Sequence, residues 1–509
     1  MNAPVTDSAR VDVIIVGAGL SGIGAAVHLQ KHCPTLSYLI LEGRQRMGGT
    51  WDLFRYPGVR SDSDMHTLGY AFKPWTNPKA IADGPSIRAY IEETAQEHAI
   101  EPHIRFGQQV TDLDWCSRDA LWTITTENSV GSGQYKARFV MMCAGYYSYQ
   151  RAYTPAFAGI EQFRGEVVHP QFWPEDLDYA GKQVVVIGSG ATAVTLVPAM
   201  AEHAACVTML QRSPSYMATR PARDAIANGL RRLLPARWAY AITRWKNILV
   251  QQWLYRWSRR SPEKVARLLL GEVRKALPEG YDVDTHFTPR YNPWDERLCA
   301  VPDADLFHAI RDGRARIVTD HIESFTPDGI KLTSGEQLPA DIVITATGLE
   351  LASLGESKLT VDGVAIDPAD TFTYKGVMFS GVPNLISTFG YINASWTLRA
   401  DLTAEYSCRL LNEMQRRGAD IVVPELREED QHMTPRGWVV DFTPGYFKRV
   451  MHKLPRQGDR APWINPQNYR TDRALFRKAP LDDGVLRFRQ ATGAGESLVG
   501  APGSNHVQG

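Results

Sequence analysis

Apolar residues gather into two unbroken runs that each end in glycine. DVIIV at 12–16 leads into Gly17-Ala-Gly19-Leu-Ser21-Gly22, and QVVVI at 183–187 leads into Gly188-Ser189-Gly190-Ala191-Thr192-Ala193. Continuous β-branched runs of this length predict parallel strands buried on both faces. After each turn the apolar spacing becomes helical, over 23–31 and to about His203, and a further strand follows, at 38–41 and 206–210. Strand, glycine turn, helix and strand together form a dinucleotide-binding unit. The first glycine makes the tight turn, the second lets backbone approach a pyrophosphate, and the third position packs helix on strand. Backbone N–H groups and the helix dipole then face the phosphates. Two more apolar runs, 139–142 and 342–345, predict strands that end in the small-residue turns Cys143-Ala-Gly145 and Ala346-Thr347-Gly348. The expected fold class is α/β, with two Rossmann-like dinucleotide-binding domains and a helical insertion.

The second strands of the two units end differently. Glu42 stands 20 residues after Gly22, where a carboxylate grips ribose hydroxyls. Gln211-Arg212-Ser213 closes the other strand, and an arginine beside a hydroxyl binds the 2′-phosphate that a carboxylate would repel. The first site therefore suits the ADP half of FAD and the second suits NADPH. A reductase, an oxidase and a monooxygenase all remain open at this point.

Bulk composition narrows the class. A chain of 509 residues with 44% hydrophobic content is long enough for two or three domains. Basic and acidic residues balance at 56 each, which does not suggest nucleic acid as a partner. Cysteines 33, 116, 143, 206, 299 and 408 form no CxxC pair, which points to a reducing compartment and away from zinc or a redox-cysteine reductase. The first strand starts too early for a signal peptide and no apolar run reaches ~18 residues, so a cytoplasmic location is expected.

One stretch breaks the α/β pattern. Between Pro214 and Pro293 the sequence reads as helical, with 12 Lys or Arg against two acids from Gly229 to Lys275. Trp238, Trp245, Trp253 and Trp257 fall within one helical arc. One reading is an interfacial element lying on an anionic membrane surface. The other, which is the expectation because such stripes are usually core, is an insertion that packs its aromatic stripe onto the second nucleotide unit.

Phe163, Gly165, His169, Trp173 and Pro174 fit FxGxxxHxxxWP. That pattern resembles the fingerprint of Baeyer–Villiger monooxygenases; related N-hydroxylating and sulfoxidising flavin enzymes typically end it in Tyr followed by Lys or Arg. Gly48-Gly49-Thr50-Trp51-Asp52-Leu53-Phe54-Arg55-Tyr56-Pro57-Gly58-Val59-Arg60-Ser61-Asp62 resembles the family's [A/G]GxWxxxx[F/Y]P[G/M]xxxD motif. The likeness runs over residues 11–480, and is closest to the branch that includes bacterial ethionamide-activating monooxygenases over 48–75 and 291–305. It implies an FAD-containing, NADPH- and O2-dependent enzyme that converts ketones to esters or lactones through a C4a-peroxyflavin, with sulfide oxidation alongside. An N- or S-oxygenating flavin monooxygenase is the alternative enzyme. A flavin-bearing redox sensor or membrane-bound interaction module is the alternative outside catalysis.

The resemblance also implies site residues. Arg297, in YNPWDERLC, matches the position of the family's catalytic arginine; an ordinary ion pair with Asp295 or Glu296 is the other reading. Asp62 would orient that arginine near the flavin, although Ser61, Asp62 and Ser63 are all helix-capping types. Thr50, Trp51, Asp52 and Leu53 would line the flavin, and Arg60 and Ser61 would touch the nicotinamide nucleotide. Val110, Thr347 and Gly348 complete the cofactor set, and Trp396 would approach the cofactor, line the substrate pocket or serve as a buried aromatic. His169 is read as a domain-coupling residue more readily than as a proton donor. The expected domains are FAD-binding at 1–155 and 346–490, NADPH-binding at 160–213 and 296–345, a helical insertion at 214–295 and a disordered tail at 491–509.

Overall fold

Val13 and Ile15 belong to one apolar core, and Ile14 and Val16 to another on the opposite face of the same strand. In the second run, Val184 and Val186 face one core while Val185 and Ile187 face a different one. Side chains alternate across a strand, so an unbroken apolar run is what a sheet covered on both faces requires. The computed structural model describes residues 10–296, 298–440 and 445–491. Eighteen residues of the expected tail, 492–509, therefore lie outside the described residues, as does Arg297.

Among the described residues, strand Arg10–Val16 lies in a nine-stranded sheet, parallel to Tyr38–Glu42 on one side and to Gly131–Met142 on the other. The end of Gly131–Met142 also pairs in parallel with Leu385–Ser387, and its beginning pairs antiparallel with Leu121–Asn128. Late and early parts of the chain thus build one sheet. Helix Leu20–His32 is buried along most of its length between this sheet and helix Trp396–Arg417.

A five-stranded, wholly parallel sheet holds Ala315–Thr319, Cys206–Gln211, Gln183–Ile187, Ile342–Thr345 and Glu166–Val168, in that order. Its first helix spans Ala191–Met200, three residues shorter than the expected end at His203. The chain passes from the first sheet toward the second along strand Tyr147–Ala152 and comes back along Leu349–Leu351. Those two strands pair antiparallel with each other as a separate ribbon.

The insertion differs from expectation in two ways. It is not wholly helical, because strand Tyr216–Arg220 pairs in parallel with Leu298–Pro302. Its aromatic stripe is not core either. On helix Ala236–Arg260 the buried positions are Ala239, Tyr240, Thr243, Arg244, Ile248 and Ser258, while Trp238 is 67% exposed and Trp253 60%. The insertion instead packs Met217, Val273, Leu277, Val283 and Phe287 into the core of the second unit. The long helix itself is anchored toward the first sheet. Arg244 is buried and donates to the carbonyls of His66 at 2.9 Å and Gly69 at 2.7 Å, and reaches Asp401 at 3.4 Å.

Candidate functional site

The two glycine turns are built alike. Gly17 N–H donates to Leu41 O at 2.7 Å, and Gly188 N–H donates to Leu210 O at 2.8 Å. A Cβ on Gly17, at φ +101°, would sit 2.7 Å from Cys143 O; on Gly188, at φ +142°, it would sit 2.4 Å from Ala346 O. Each turn therefore presses its backbone on the small-residue turn that ends the neighbouring strand, where only glycine fits. Helices Leu20–His32 and Ala191–Met200 both start at glycine N-caps, Gly19 and Gly190, with no capping side chain and no acid in the first turn. Their first N–H groups are thus left for an anion.

Glu42 ends its strand buried. Its carboxylate accepts from Ala18 N at 2.7 Å and from Arg44 N at 2.8 Å. Burial pushes this carboxyl up, and the two N–H donors with Arg44 draw it back. Glu42 therefore stiffens the turn as well as presenting acceptors at the strand end. Val110 lies buried on the neighbouring strand Gln109–Cys116, its carbonyl accepting from Ser357 Oγ at 3.2 Å.

Gly49 stands against Gly19, its Cβ position 3.1 Å from Gly19 Cα. The short helix Thr50–Leu53 that follows carries Asp52 inward, 2% exposed, among Arg44 at 2.7 Å, Arg55 at 3.3 Å and Arg88 at 3.6 Å. Asp52 thus knits three segments together, and the free face of this helix belongs to Thr50 and Trp51, both half-buried. Thr50 hydrogen-bonds Tyr149, whose phenol burial pushes well up.

The same stretch ends on the second unit. Tyr56 hydrogen-bonds Thr192, at the start of the second nucleotide helix, and burial pushes its phenol up to about 12. Gly58 lies against Thr195 and Ala199 of that helix. Arg60 pairs with Asp305 of the second unit, and Ser61 is buried, its Oγ accepting from Ser63 N at 3.0 Å. Asp62 gives its carbonyl to Arg220 at 3.3 Å. The helix cap expected among Ser61, Asp62 and Ser63 falls instead on Asp64, which accepts from Thr67 N at 3.2 Å.

At the second turn Ser189 Oγ donates to Ser213 O at 2.9 Å, tying the turn to the strand end that carries Arg212. Arg212 is exposed and, with Lys448, draws down the Glu296 carboxyl that burial raises. Ala193 is fully buried where the third glycine would stand, and a Cβ on Gly190 would meet no protein atom within 4 Å.

FxGxxxHxxxWP occupies the joint. Phe163 sets its ring edge-on to Phe325, with centroids 5.9 Å apart, and Trp173 packs with Phe54 on the core of the second unit. His169 Nδ1 accepts from Gln171 N at 3.1 Å, so the imidazole is neutral and Nε2–H donates to Gly348 O at 3.2 Å. Burial lowers the His169 pKa. Gln171 Nε2 donates to Ser148 O at 2.8 Å and Arg151 O at 3.3 Å, both on the outgoing strand of the ribbon. Thr347 Oγ1 donates to Tyr153 O at 2.7 Å on the returning side. Beside the two fingerprints, Arg55 pairs with Glu175, the residue after Pro174.

Trp396, expected from the sequence at the cofactor, at the substrate pocket or as a buried aromatic, donates from Nε1 to Ser21 Oγ at 2.7 Å, and its ring stacks on Tyr146 at 4.9 Å. The residues around it carry no sequence signal. Phe389, Phe447 and Trp438 continue that aromatic wall. These side chains come from three separated stretches with no common spacing. Gln171 and Tyr56 lie inside the quoted motifs, at positions the patterns leave unassigned or share with Phe.

The arrangement fits two dinucleotides: paired uncapped helix starts, backbone clearance at Gly190, an acid at one strand end and an arginine at the other. Residues 14–229 match the family model described as pyridine nucleotide-disulphide oxidoreductase. FAD-containing monooxygenase EthA of Mycobacterium tuberculosis is 53% identical over 480 residues, covering 94% of this chain and 98% of that one. Two solved structures share the fold. Oxidized steroid monooxygenase bound to NADP is 22% identical with a TM-score of 0.75, over 94% of this chain and all of that one. The OTEMO complex with FAD and NADP is 24% identical with a TM-score of 0.69, over 82% and 88%.

Proposed function

The chain belongs to the FAD-containing monooxygenase family, in the Baeyer–Villiger class whose two signatures it carries, and we propose that it uses NADPH and O2 to convert ketones to esters or lactones and to oxygenate sulfides. One observation carries this reading. The segment that starts at the first nucleotide turn, at Gly49, ends on the second nucleotide helix at Tyr56 and Gly58. A single strap thus joins the two glycine turns, which supports hydride transfer between the dinucleotides they would bind.

FAD, when bound and reduced by NADPH, supplies the centre at which O2 is activated. This chain's own residues do the rest. Gly17, Gly19 and Gly22 with Glu42 would hold the ADP half of FAD, and Thr50 and Trp51 would line the flavin. Gly188, Ser189, Gly190, Ala191 and Thr192 take the NADPH pyrophosphate, and Arg212 with Ser213 takes its 2′-phosphate. Arg297 would supply the fixed positive charge where negative charge builds on the substrate oxygen, and Asp62 would orient it. The aromatic wall of Tyr146, Phe389, Trp396, Trp438 and Phe447 excludes water and sorts substrates by shape. In domain terms, residues 1–155 and 346–490 form the FAD-binding unit and 160–213 and 296–345 the NADPH-binding unit, with 214–295 inserted. All six cysteines stand as free thiols, which suits a cytoplasmic setting.

The test is turnover of an aliphatic and aryl methyl ketone panel by FAD-loaded protein with NADPH under air, read by product mass and ester connectivity. Hydrogen peroxide alone across the panel overturns the reading. Turnover of sulfides or amines with no ester from any ketone selects the N- or S-oxygenating alternative.

A further inference from the structure

Large apolar side chains that stand in solvent are not scattered over this molecule. Among the described residues most of them fall between Ile226 and Leu268, within the inserted helices. On helix Ala236–Arg260 they form one stripe, Trp238, Ile242, Trp245, Leu249 and Trp253, advancing by three or four residues per step. That spacing keeps them on one side over about 25 Å of helix. Leu233, 82% exposed, ends the preceding helix Ala225–Leu233. The opposite side is fully committed to the protein. Tyr240 Oη donates to Tyr70 O at 2.9 Å, Asn247 Nδ2 donates to Asp64 at 2.8 Å, and Arg244 is buried against the carbonyls of 66–69. The helix is therefore held firmly by one face while its apolar face is left outside.

We propose that this face docks the enzyme on the surface of an anionic lipid bilayer. An exposed apolar stripe of this extent marks an interaction site. Charge selects its occupant. Gly229 to Lys275 holds 12 Lys or Arg against Glu263 and Glu272, and Arg232, Arg237, Arg256, Arg260, Lys264 and Arg267 stand exposed around the stripe. A chain neutral overall has thus placed a cationic surplus on a surface that is also apolar. Tryptophan in apolar contact beside arginine in water is the pattern of a helix lying in the headgroup layer. No helix among the described residues is long and apolar enough to cross a membrane, so the contact is peripheral. A groove of about 1450 Å³ opens beside Trp245, with Arg237 and Arg473 on its walls, and offers anionic headgroups a place to enter.

The test uses the FAD-loaded full chain and flotation with vesicles, and reads binding without turnover, so it stands apart from the proposed reaction. Wild type should float with phosphatidylcholine–phosphatidylglycerol vesicles at low salt, be released by high salt, and stay behind with phosphatidylcholine alone. Trp238→Ala with Trp253→Ala, and separately Arg237→Gln with Arg256→Gln and Arg260→Gln, should each cut the bound fraction on the order of tenfold. Val130→Ala, an exposed apolar site elsewhere, should change nothing. Equal binding to both vesicle types, no binding to either, or full binding by the variants overturns the proposal. So does concentration-dependent self-association in sedimentation that the same variants abolish, which would make a second copy the occupant.

Discussion

His169 Nε2 lies 3.2 Å from the carbonyl oxygen of Gly348, a residue 179 positions later that directly precedes the strand Leu349–Leu351 leading back to the first unit. Its other ring nitrogen is taken by Gln171 N–H. Both nitrogens are engaged inside the joint, as a coupling role for the ring requires. His169→Ala should slow flavin reduction by NADPH roughly tenfold, the loss expected for one or two buried hydrogen bonds. Product formed per NADPH consumed should hold near the wild-type value. Stopped-flow reduction together with peroxide release separates the two; normal reduction with heavy peroxide release would place His169 at the chemistry.

The same ring makes stability depend on pH with a defined sign. Burial lowers the folded-state pKa of His169 below its unfolded value, which is about 6.5. On acidification the unfolded chain takes up the proton first. The stabilisation is therefore complete above about pH 6.5 and is lost as pH falls through the folded value. Melting curves from about pH 8 down to about pH 5 should show wild type and His169→Ala converging on the acid side. Parallel curves at every pH would remove His169 from the titration.

Gly190 separates a steric cost within the protein from a cost to its ligand. A Cβ there meets no protein atom within 4 Å, whereas one on Gly188 collides with Ala346 O. Gly190→Ala should keep the wild-type melting temperature and weaken NADPH binding roughly tenfold to a hundredfold, as for a lost charge-assisted hydrogen bond. Gly188→Ala should lower the melting temperature as well. Unchanged NADPH affinity in Gly190→Ala would mean that the pyrophosphate does not approach this turn.

The proposed preference for NADPH rests on Arg212. Arg212→Gln should raise the KM for NADPH on the order of tenfold and leave the KM for NADH nearly unchanged, because only the 2′-phosphate contact is removed. Equal effects on the two cofactors would assign Arg212 to the Glu296 contact alone.

Asp52 bridges three arginines, Arg44, Arg55 and Arg88. Asp52→Asn leaves Arg44, Arg55 and Arg88 facing one another. A fully buried broken pair costs roughly 3–5 kcal/mol, but these arginines are about a third exposed, so solvent screening brings the expected loss to about 2 kcal/mol. Heating with flavin fluorescence as the probe should show earlier FAD release. An unchanged release temperature would leave the cluster without a structural role.

What the sequence made legible was local. Each nucleotide turn is set by a few consecutive residues, so strands 12–16 and 183–187, their glycines, and Glu42 and Arg212 could be read directly. Contacts between distant segments could not. Asp52 was legible as a residue near the flavin, but its arginine neighbours at 44 and 88 depend on how the chain folds back. Strand Tyr216–Arg220 is hidden because its partner lies 82 residues on. The cap at Asp64 lost to its neighbours because four polar capping types stand in a row. Helical period placed the tryptophans of the insertion on one face, yet period says which residues share a face and nothing about what that face meets.

The antiparallel ribbon of Tyr147–Ala152 and Leu349–Leu351 has a consequence for ancestry. The chain enters and leaves the second unit at neighbouring points, so about two hundred residues begin and end side by side. A segment with adjoining ends can be excised and the gap closed by a short turn, and it can be grafted into a host loop with little disturbance to the host sheet. The first unit is thereby a scaffold that could have existed before its guest, and a shortened gene joining residue 152 to residue 349 through a short loop is its nearest present-day approximation.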